Sequence, residues 1–404
     1  MADRMLVAFG KYLRILRDRR KMSLSDVVAL TKSYPEPVGK GYLSRVERGL
    51  ARVGFSKMVA LSRAYEISLD ALGEKLALDL EVDGLKNSPN TSGQSFSELF
   101  DATDAFSSRG MKWHAYAVSR DALMRAALDP VHPVYRNRDE QVVRSILTHG
   151  ITARGTGRYM LALAEFDFVR RQLHALNEET VPIVFEQAAV AKMRMGVLDE
   201  AKSLSDRAVD LAQETPLKRH LGDALDTRAN LAIFANDLSG GIAGFQAAFA
   251  AYKAVDRQMD CARTMNNLAG VYLDAGRVKA ARKAAVAAER LATSLGLDST
   301  RARARVLLGQ IEAKAGNSKK AASLWLDAIT IARKTRDSVV QFNAEYELYK
   351  MAIENGHLTA AHALGKRLNR MTPWVSHGET HAEAFLKLYA VHRKPKQRGV
   401  ATPA

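Results

Sequence analysis

Cysteine is nearly missing from this 404-residue chain: Cys261 stands alone, which excludes an intrachain disulfide framework and fits a reducing cytosol. Aromatic residues make up only 7% of the sequence, while alanine is abundant. That mixture is poor material for a β-sandwich but suits closely packed helices, because small side chains let helix axes approach one another. No apolar run comes near the ~18 residues of a membrane-spanning helix, so no membrane partner is expected. The start, "MADRMLVAFGKYLR", has a short apolar patch without a small-residue cleavage site, and a signal peptide is not expected. No Ser/His/Asp order and no paired carboxylates stand out, so neither an enzyme nor a cofactor is expected. The chain is read as cytoplasmic.

What is present is positive charge. The formal net charge is +16 and the isoelectric point near 9.8, a balance that suggests an anionic partner, with nucleic acid first. The charge is concentrated: residues 1–63 hold fourteen Lys and Arg against five Asp and Glu, a net of +9.

Within that segment the apolar spacing predicts helices over Val7–Lys21, Leu24–Lys32, Lys40–Arg48, Phe55–Tyr65 and Leu69–Leu80, a compact five-helix unit. Ser23 offers an N-cap with Asp26 three residues on. The prolines of "SYPEP" (Ser33–Pro37) keep that stretch out of a helix, and Gly49 is a natural left-handed stop for the third. "SLSDVVALTK", "VGKGYLSRVERGL" and "FSKMVALSRAYEISLDALGEKL" together resemble the λ-repressor-like helix-turn-helix of xenobiotic-response-element-type bacterial regulators, over about Phe9–Leu78. In such modules the second helix of the motif enters the major groove of double-stranded DNA. The resemblance implies that Lys40, Gly41, Ser44 and Arg45 face base edges, and that Ser25 and Arg48 contact phosphates. It also implies that Glu47 pairs internally with Arg17. Arg52 joins the phosphate candidates on charge alone. The sequence departs from the family in a turn about five residues longer than usual and in Gly39 and Gly41, which weaken helix propensity at the head of the recognition helix.

"GLKNSPNTSGQSFS" (Gly84–Ser97) reads as an interdomain linker. Beyond it the chain repeats itself: turn residues recur at Gly196, Asn236, Gly276, Gly316 and Gly356, every 40 residues. Small residues follow in register at Ala201, Gly241, Ala281, Ala321 and Ala361, then at Ala208, Ala248, Ala288, Ala328 and Leu368. A weaker unit is expected at Ile151–Leu176, and Phe96–Thr148 is expected to supply further helices. Helix, tight turn and second helix with small residues at the crossing resemble the tetratricopeptide repeat, with helices longer than its consensus. "NNLAGVYLDAGRVKAARKAAVAAERLA" (Asn266–Ala292) is the best match, although the consensus tryptophan of the first helix is absent. The resemblance implies an α-solenoid whose first helices line a concave face. On that template Asp223, Asp226, Asn230, Arg263, Asn266, Gln310, Asn343 and Lys350 face inward and could hydrogen-bond an extended peptide, or simply line a wet groove.

Other motifs carry less. His377 and His381 in "HGETH" have their glutamate in the wrong place for a zinc protease and no third ligand. "RGTGRYM" (Arg154–Met160) lacks the third glycine of a dinucleotide loop and reads as a repeat turn. Cys261 reads as a packed thiol.

The expectation is an all-α chain: a five-helix DNA-binding domain over 1–83, a linker over 84–97, a tetratricopeptide-like domain over 98–392 and a basic tail over 393–404. The architecture resembles the peptide-responsive quorum-sensing regulators. It implies a homodimeric transcription regulator that binds DNA through one domain and a peptide or protein ligand through the other. The alternative is an interaction scaffold whose DNA-binding domain only tethers it or is vestigial.

Overall fold

The computed structural model describes residues 4–84, 88–108, 111–335, 337–375 and 380–392, and among these residues every regular element is helical. Part of the expected linker (85–87), the 393–404 tail and His377 lie outside them. The chain divides into two compact units, residues 1–220 and residues from Leu221 onward.

The first unit begins with α1 (Arg4–Arg19), α2 (Leu24–Thr31), α3 (Lys40–Glu47), α4 (Phe55–Ala64) and α5 (Leu69–Asp83). Helix α1 ends earlier than its apolar pattern implies because the chain turns left-handed at Lys21, with φ 53°. Helix α5 runs past Leu80 because Val82 extends its buried face. Then follow α6 (Phe96–Ser108), α7 (Lys112–Arg125), α8 (Arg138–Gly155), α9 (Tyr159–Arg170), α10 (Val181–Arg194) and α11 (Leu198–Glu214). The weaker repeat expected at Ile151–Leu176 is the α8–α9 pair, whose first helix starts at Arg138; Gly157, at φ 86°, turns between the two.

The five N-terminal helices share one continuous core with α7–α10, from Phe9, Leu13 and Leu16 through Leu72 and Tyr116 to Ile146, Phe166 and Val184. Charged groups are drawn into this core. Glu165 on α9 is fully buried; it accepts from the Tyr12 hydroxyl at 2.7 Å and from Arg19 Nη1 at 2.8 Å, both on α1. His149 Nδ1 on α8 lies 3.4 Å from the same carboxylate. Lys75 on α5 is equally buried. Its ammonium pairs with Asp79 and lies 5.1 Å from the Tyr12 ring and 5.8 Å from that of Tyr116. Arg120 on α7 reaches Asp79 and Asp83 of α5 at 3.4 and 3.3 Å. Burial alone would push the Glu165 carboxyl up, but Arg19, His149 and Tyr12 together hold it down at about 2. Burial depresses the Lys75 ammonium and the His149 imidazole. Such pairs persist only where every member is met, because a lone buried charge costs several kcal/mol.

The second unit consists of α12 (Leu221–Phe234), α13 (Leu238–Ala254), α14 (Gln258–Asp274), α15 (Val278–Ser294), α16 (Asp298–Lys314), α17 (Ser318–Thr335), α18 (Ser338–Glu354), α19 (Leu358–Val375) and α20 (Thr380–His392). The 40-residue period is literal here: α14, α16 and α18 begin at residues 258, 298 and 338. Asn236, Gly276, Gly316 and Gly356 all adopt φ between 63° and 80°, the left-handed geometry in which glycine or asparagine is least penalised. Ala248, Ala281, Ala288, Ala321 and Ala328 are fully buried at the helix crossings. At Gly309 a Cβ would stand 2.3 Å from Trp325 Nε1; the bare backbone lets that indole pack against α16 and donate to the Val306 carbonyl at 3.1 Å.

Candidate DNA-binding surface and repeat cluster

The expected DNA-binding residues gather around α3. Ser23 caps α2 through a reciprocal box with Asp26: the Ser23 N–H donates to the Asp26 carboxylate at 2.7 Å and the Asp26 N–H to Ser23 Oγ at 3.2 Å. Those hydrogen bonds pull the Asp26 carboxyl below its usual range. Ser25 is exposed in the first turn that follows.

The long turn over residues 32–39 is anchored at both ends. Buried Thr31 Oγ1 accepts from the Val38 N–H at 3.2 Å, and Val38 itself is buried. Glu36 pairs with Lys57 of α4 at 3.7 Å, and that ammonium also lies 4.9 Å from the Tyr42 ring. The extra residues therefore bulge outward and leave α3 seated. Gly39 N-caps α3 without a side-chain bond, and a Cβ on Gly39 or Gly41 would meet nothing within 4 Å. Internal packing does not require these glycines. They leave a bare backbone at the head of α3.

Leu43 and Val46 bury one face of α3, while Lys40, Gly41 and Arg45 are exposed and Ser44 is half-buried. Arg48 is exposed, its Nε donating to the Ser44 carbonyl at 3.1 Å. Arg52 is exposed too, and its carbonyl accepts from the Tyr42 hydroxyl at 2.7 Å, which fixes the loop that carries it. No described carboxylate pairs with Lys40, Arg45, Arg48 or Arg52. Glu47 is buried and takes a bidentate bond from Arg17 of α1, 2.7 Å from Nε and 2.9 Å from Nη2. That bond raises the Arg17 guanidinium further, and the pair clamps α3 to α1. Two glycines complete the seat. A Cβ on Gly10 would come within 2.1 Å of the Val46 carbonyl, and Gly49, at φ 71°, passes against the Val7 backbone. Gly10, Thr31, Tyr42 and Lys57 escaped the sequence reading; the only signal for Gly10 was a glycine inside an otherwise regular helix.

In the second unit the expected ligand residues separate. Asp223, Asp226, Asn230 and Arg263 are drawn into one cluster across α12–α14. Asp223 accepts from the Tyr252 hydroxyl at 2.9 Å and pairs with Arg257, while Arg263 pairs with Asp260 at 2.9 Å and approaches Asp223. Asp226 accepts from Asn230 at 3.0 Å and Asn267 at 3.4 Å, and burial raises its carboxyl. Gln310 lies apart and donates to Glu347 at 2.8 Å, which also pairs with Lys350. Asn266 is buried between repeats, its amide donating to the Thr300 carbonyl at 2.9 Å. Asn343 is half-buried and joins neither group in a described bond. Tyr252 and Arg257 were not legible as cluster members, because they sit on a second helix and on the turn that follows it, whereas Asp260 and Asn267 lie on α14 at positions outside the inward-facing template.

Cys261 is a buried free thiol, and no group of three or more metal-ligating side chains occurs among the described residues. No helix among them is long and apolar enough to cross a membrane.

Residues 8–74 match the family described as "Helix-turn-helix domain". No curated protein matches the chain in sequence. Among solved structures, a signal-transduction ATPase with a tetratricopeptide repeat sensor from Pyrococcus horikoshii superposes with a TM-score of 0.52 at 11% identity, covering 94% of this chain and 62% of its own. PlcR from Bacillus thuringiensis, in complex with the peptide PapR7 and DNA, gives 0.42 at 10% identity, covering 72% of this chain and 96% of its own. A Rap protein in complex with Competence and Sporulation Factor gives 0.48 at 13% identity, with coverages of 84% and 96%. The chain joins an N-terminal helix-turn-helix domain to tetratricopeptide-like helical pairs.

Proposed function

We propose that this chain is a sequence-specific DNA-binding transcription regulator, in which residues 1–83 read double-stranded DNA and residues 98–392 dimerise and bind a peptide or protein ligand. The observation that carries the reading is α3 itself. Lys40, Arg45 and, at the C-cap, Arg48 stand exposed without a described carboxylate partner on a helix clamped from behind by Arg17–Glu47, with a bare backbone at its head. Arg45 reads guanine O6 and N7, and Lys40 and Ser44 flank it. Ser25, Arg48 and Arg52 hold phosphates and fix register. Gly41 lets the helix head approach the groove. A dimer would require half-sites about one helical turn, or a multiple, apart. The linked Asp223–Asp226–Asn230–Arg263 cluster supports a polar ligand, since it offers donors and acceptors on one group of helices.

Chromatin pull-down with sequencing identifies the sites, and a gel-shift titration on them tests the reading. Arg45→Ala should cost about 1–3 kcal/mol and relax specificity at one base pair. Salt-sensitive binding indifferent to both site sequence and Arg45 would favour the scaffold instead.

A further inference from the structure

The second helices of the repeats occupy equivalent places, but their charge changes along the chain. Helix α11 carries five acidic residues against Lys202 and Arg207. Helix α13 carries only Lys253. Helices α15, α17 and α19 together hold eleven Lys and Arg and two acids, Glu289 and Asp327, both of which are taken by Arg305 of α16. Five of the eleven are matched by acids of the first helices: Arg282 and Lys320 by Glu312, Arg333 and Arg367 by Glu345, and Lys334 by Asp298. The remaining six, Lys279, Lys283, Arg290, Lys319, Lys366 and Arg370, are exposed, and none pairs with a described residue. Lys279, Lys283 and Arg290 fall on one face of α15, as Lys366 and Arg370 do on α19.

We propose that the exposed face of α15, α17 and α19 is a second nucleic-acid surface, whose partner is the phosphate backbone of double-stranded DNA, bound without regard to sequence. A solvated face of no function would carry mixed signs, as surfaces usually do; here three successive repeats carry the same sign, and the acids on their own helices are engaged elsewhere. Phosphate binding needs only cations at the surface. An acidic protein would want aromatic or aliphatic anchors at the centre of its interface, and an anionic membrane would want a broad apolar face to insert. Among the described residues, the large apolar groups exposed on these three helices away from the end residue Leu358 are Val286 at 40% and Leu326 at 56%, too few for either.

The test uses the full chain carrying Lys40→Gln, Arg45→Gln and Arg48→Gln, which removes the exposed cations of α3 and so separates this proposal from the proposed function. Its affinity for a random-sequence duplex is measured against salt. Adding Lys279→Gln, Lys283→Gln and Arg290→Gln should lower the log–log salt slope by about 2–3, at about 0.9 per phosphate contact. Lys319→Gln, Lys366→Gln and Arg370→Gln should act alike, whereas Lys202→Gln and Arg207→Gln on α11 should leave the slope unchanged. In the unsubstituted protein, duplex should shield Lys279, Lys283, Lys319 and Lys366 from acetylation, read by mass spectrometry, whether or not any variant folds. Unchanged slopes in both outer-face variants, or unshielded lysines, would overturn the proposal. So would binding that follows phosphatidylglycerol vesicles or polyglutamate in preference to the duplex.

Discussion

In the first compact unit both members of the key ion pairs are buried: Arg19 is 5% exposed and Glu165 not at all, and Lys75 and Asp79 are as deep. In the Glu312 and Glu345 pairs of the second unit only the acid goes under. Glu312 and Glu345 are buried, but their partners Arg282, Arg333 and Arg367 remain between 40% and 53% exposed. The first arrangement is particular, since Tyr12, Arg19, His149 and Glu165 must all be present for any one to be tolerated. The second can be repeated, because each half-exposed arginine keeps water on one side and a carboxylate from a neighbouring helix on the other. Residues 1–220 therefore gain one specific docking of the helix-turn-helix domain on α7–α9. The repeats from Leu221 onward gain a modular stack whose outer charge can vary freely.

The comparison breaks most sharply at its keystone. Glu165→Gln leaves Arg19 without its counter-charge and should cost the first unit about 3–5 kcal/mol. Denaturant unfolding should show the loss in that unit, with the second unfolding as before; an unchanged first transition would mean that Tyr12 and His149 suffice. Acid should act through the same group. Glu165 is held at about 2 against an ordinary 4.5, so the fold binds fewer protons there than the unfolded chain does between those values. Its contribution is fully present above about pH 4.5 and is lost as pH falls towards about 2. Unfolding at a series of acid pH values should give a slope that Glu165→Gln flattens. The smallest effect belongs to the modular half: Ala288→Leu overfills a crossing that is fully buried and should cost about 1–3 kcal/mol, read as a Tm shift in the second unit alone.

The difference also explains what could be read in advance. The α14–α19 repeats announce themselves because each helix makes its main contacts with the next, and identical problems at Gly276, Gly316 and Gly356 received identical solutions. Arg17–Glu47 was likewise legible, through a motif that spans only thirty residues. Asn266 looked like a groove residue by its place in the template, but the Thr300 carbonyl of the next repeat drew it inside. Glu165 gave no signal at all: an acid on an apolar helix face, with its partner hydroxyl 153 positions away.

Sequence alone therefore determined the all-helical class, the 40-residue period, the Ser23 cap of α2, the Gly49 stop after α3 and the basic face of α3, because each follows from local spacing, turn conformation or charge. The tertiary structure decided which charges go under, how the long turn before α3 is pinned by Thr31 and Lys57, and how α1 and α5 lock onto α7–α9. Those outcomes depend on desolvation and on pairs brought together from distant segments, and no local pattern in the chain encodes either.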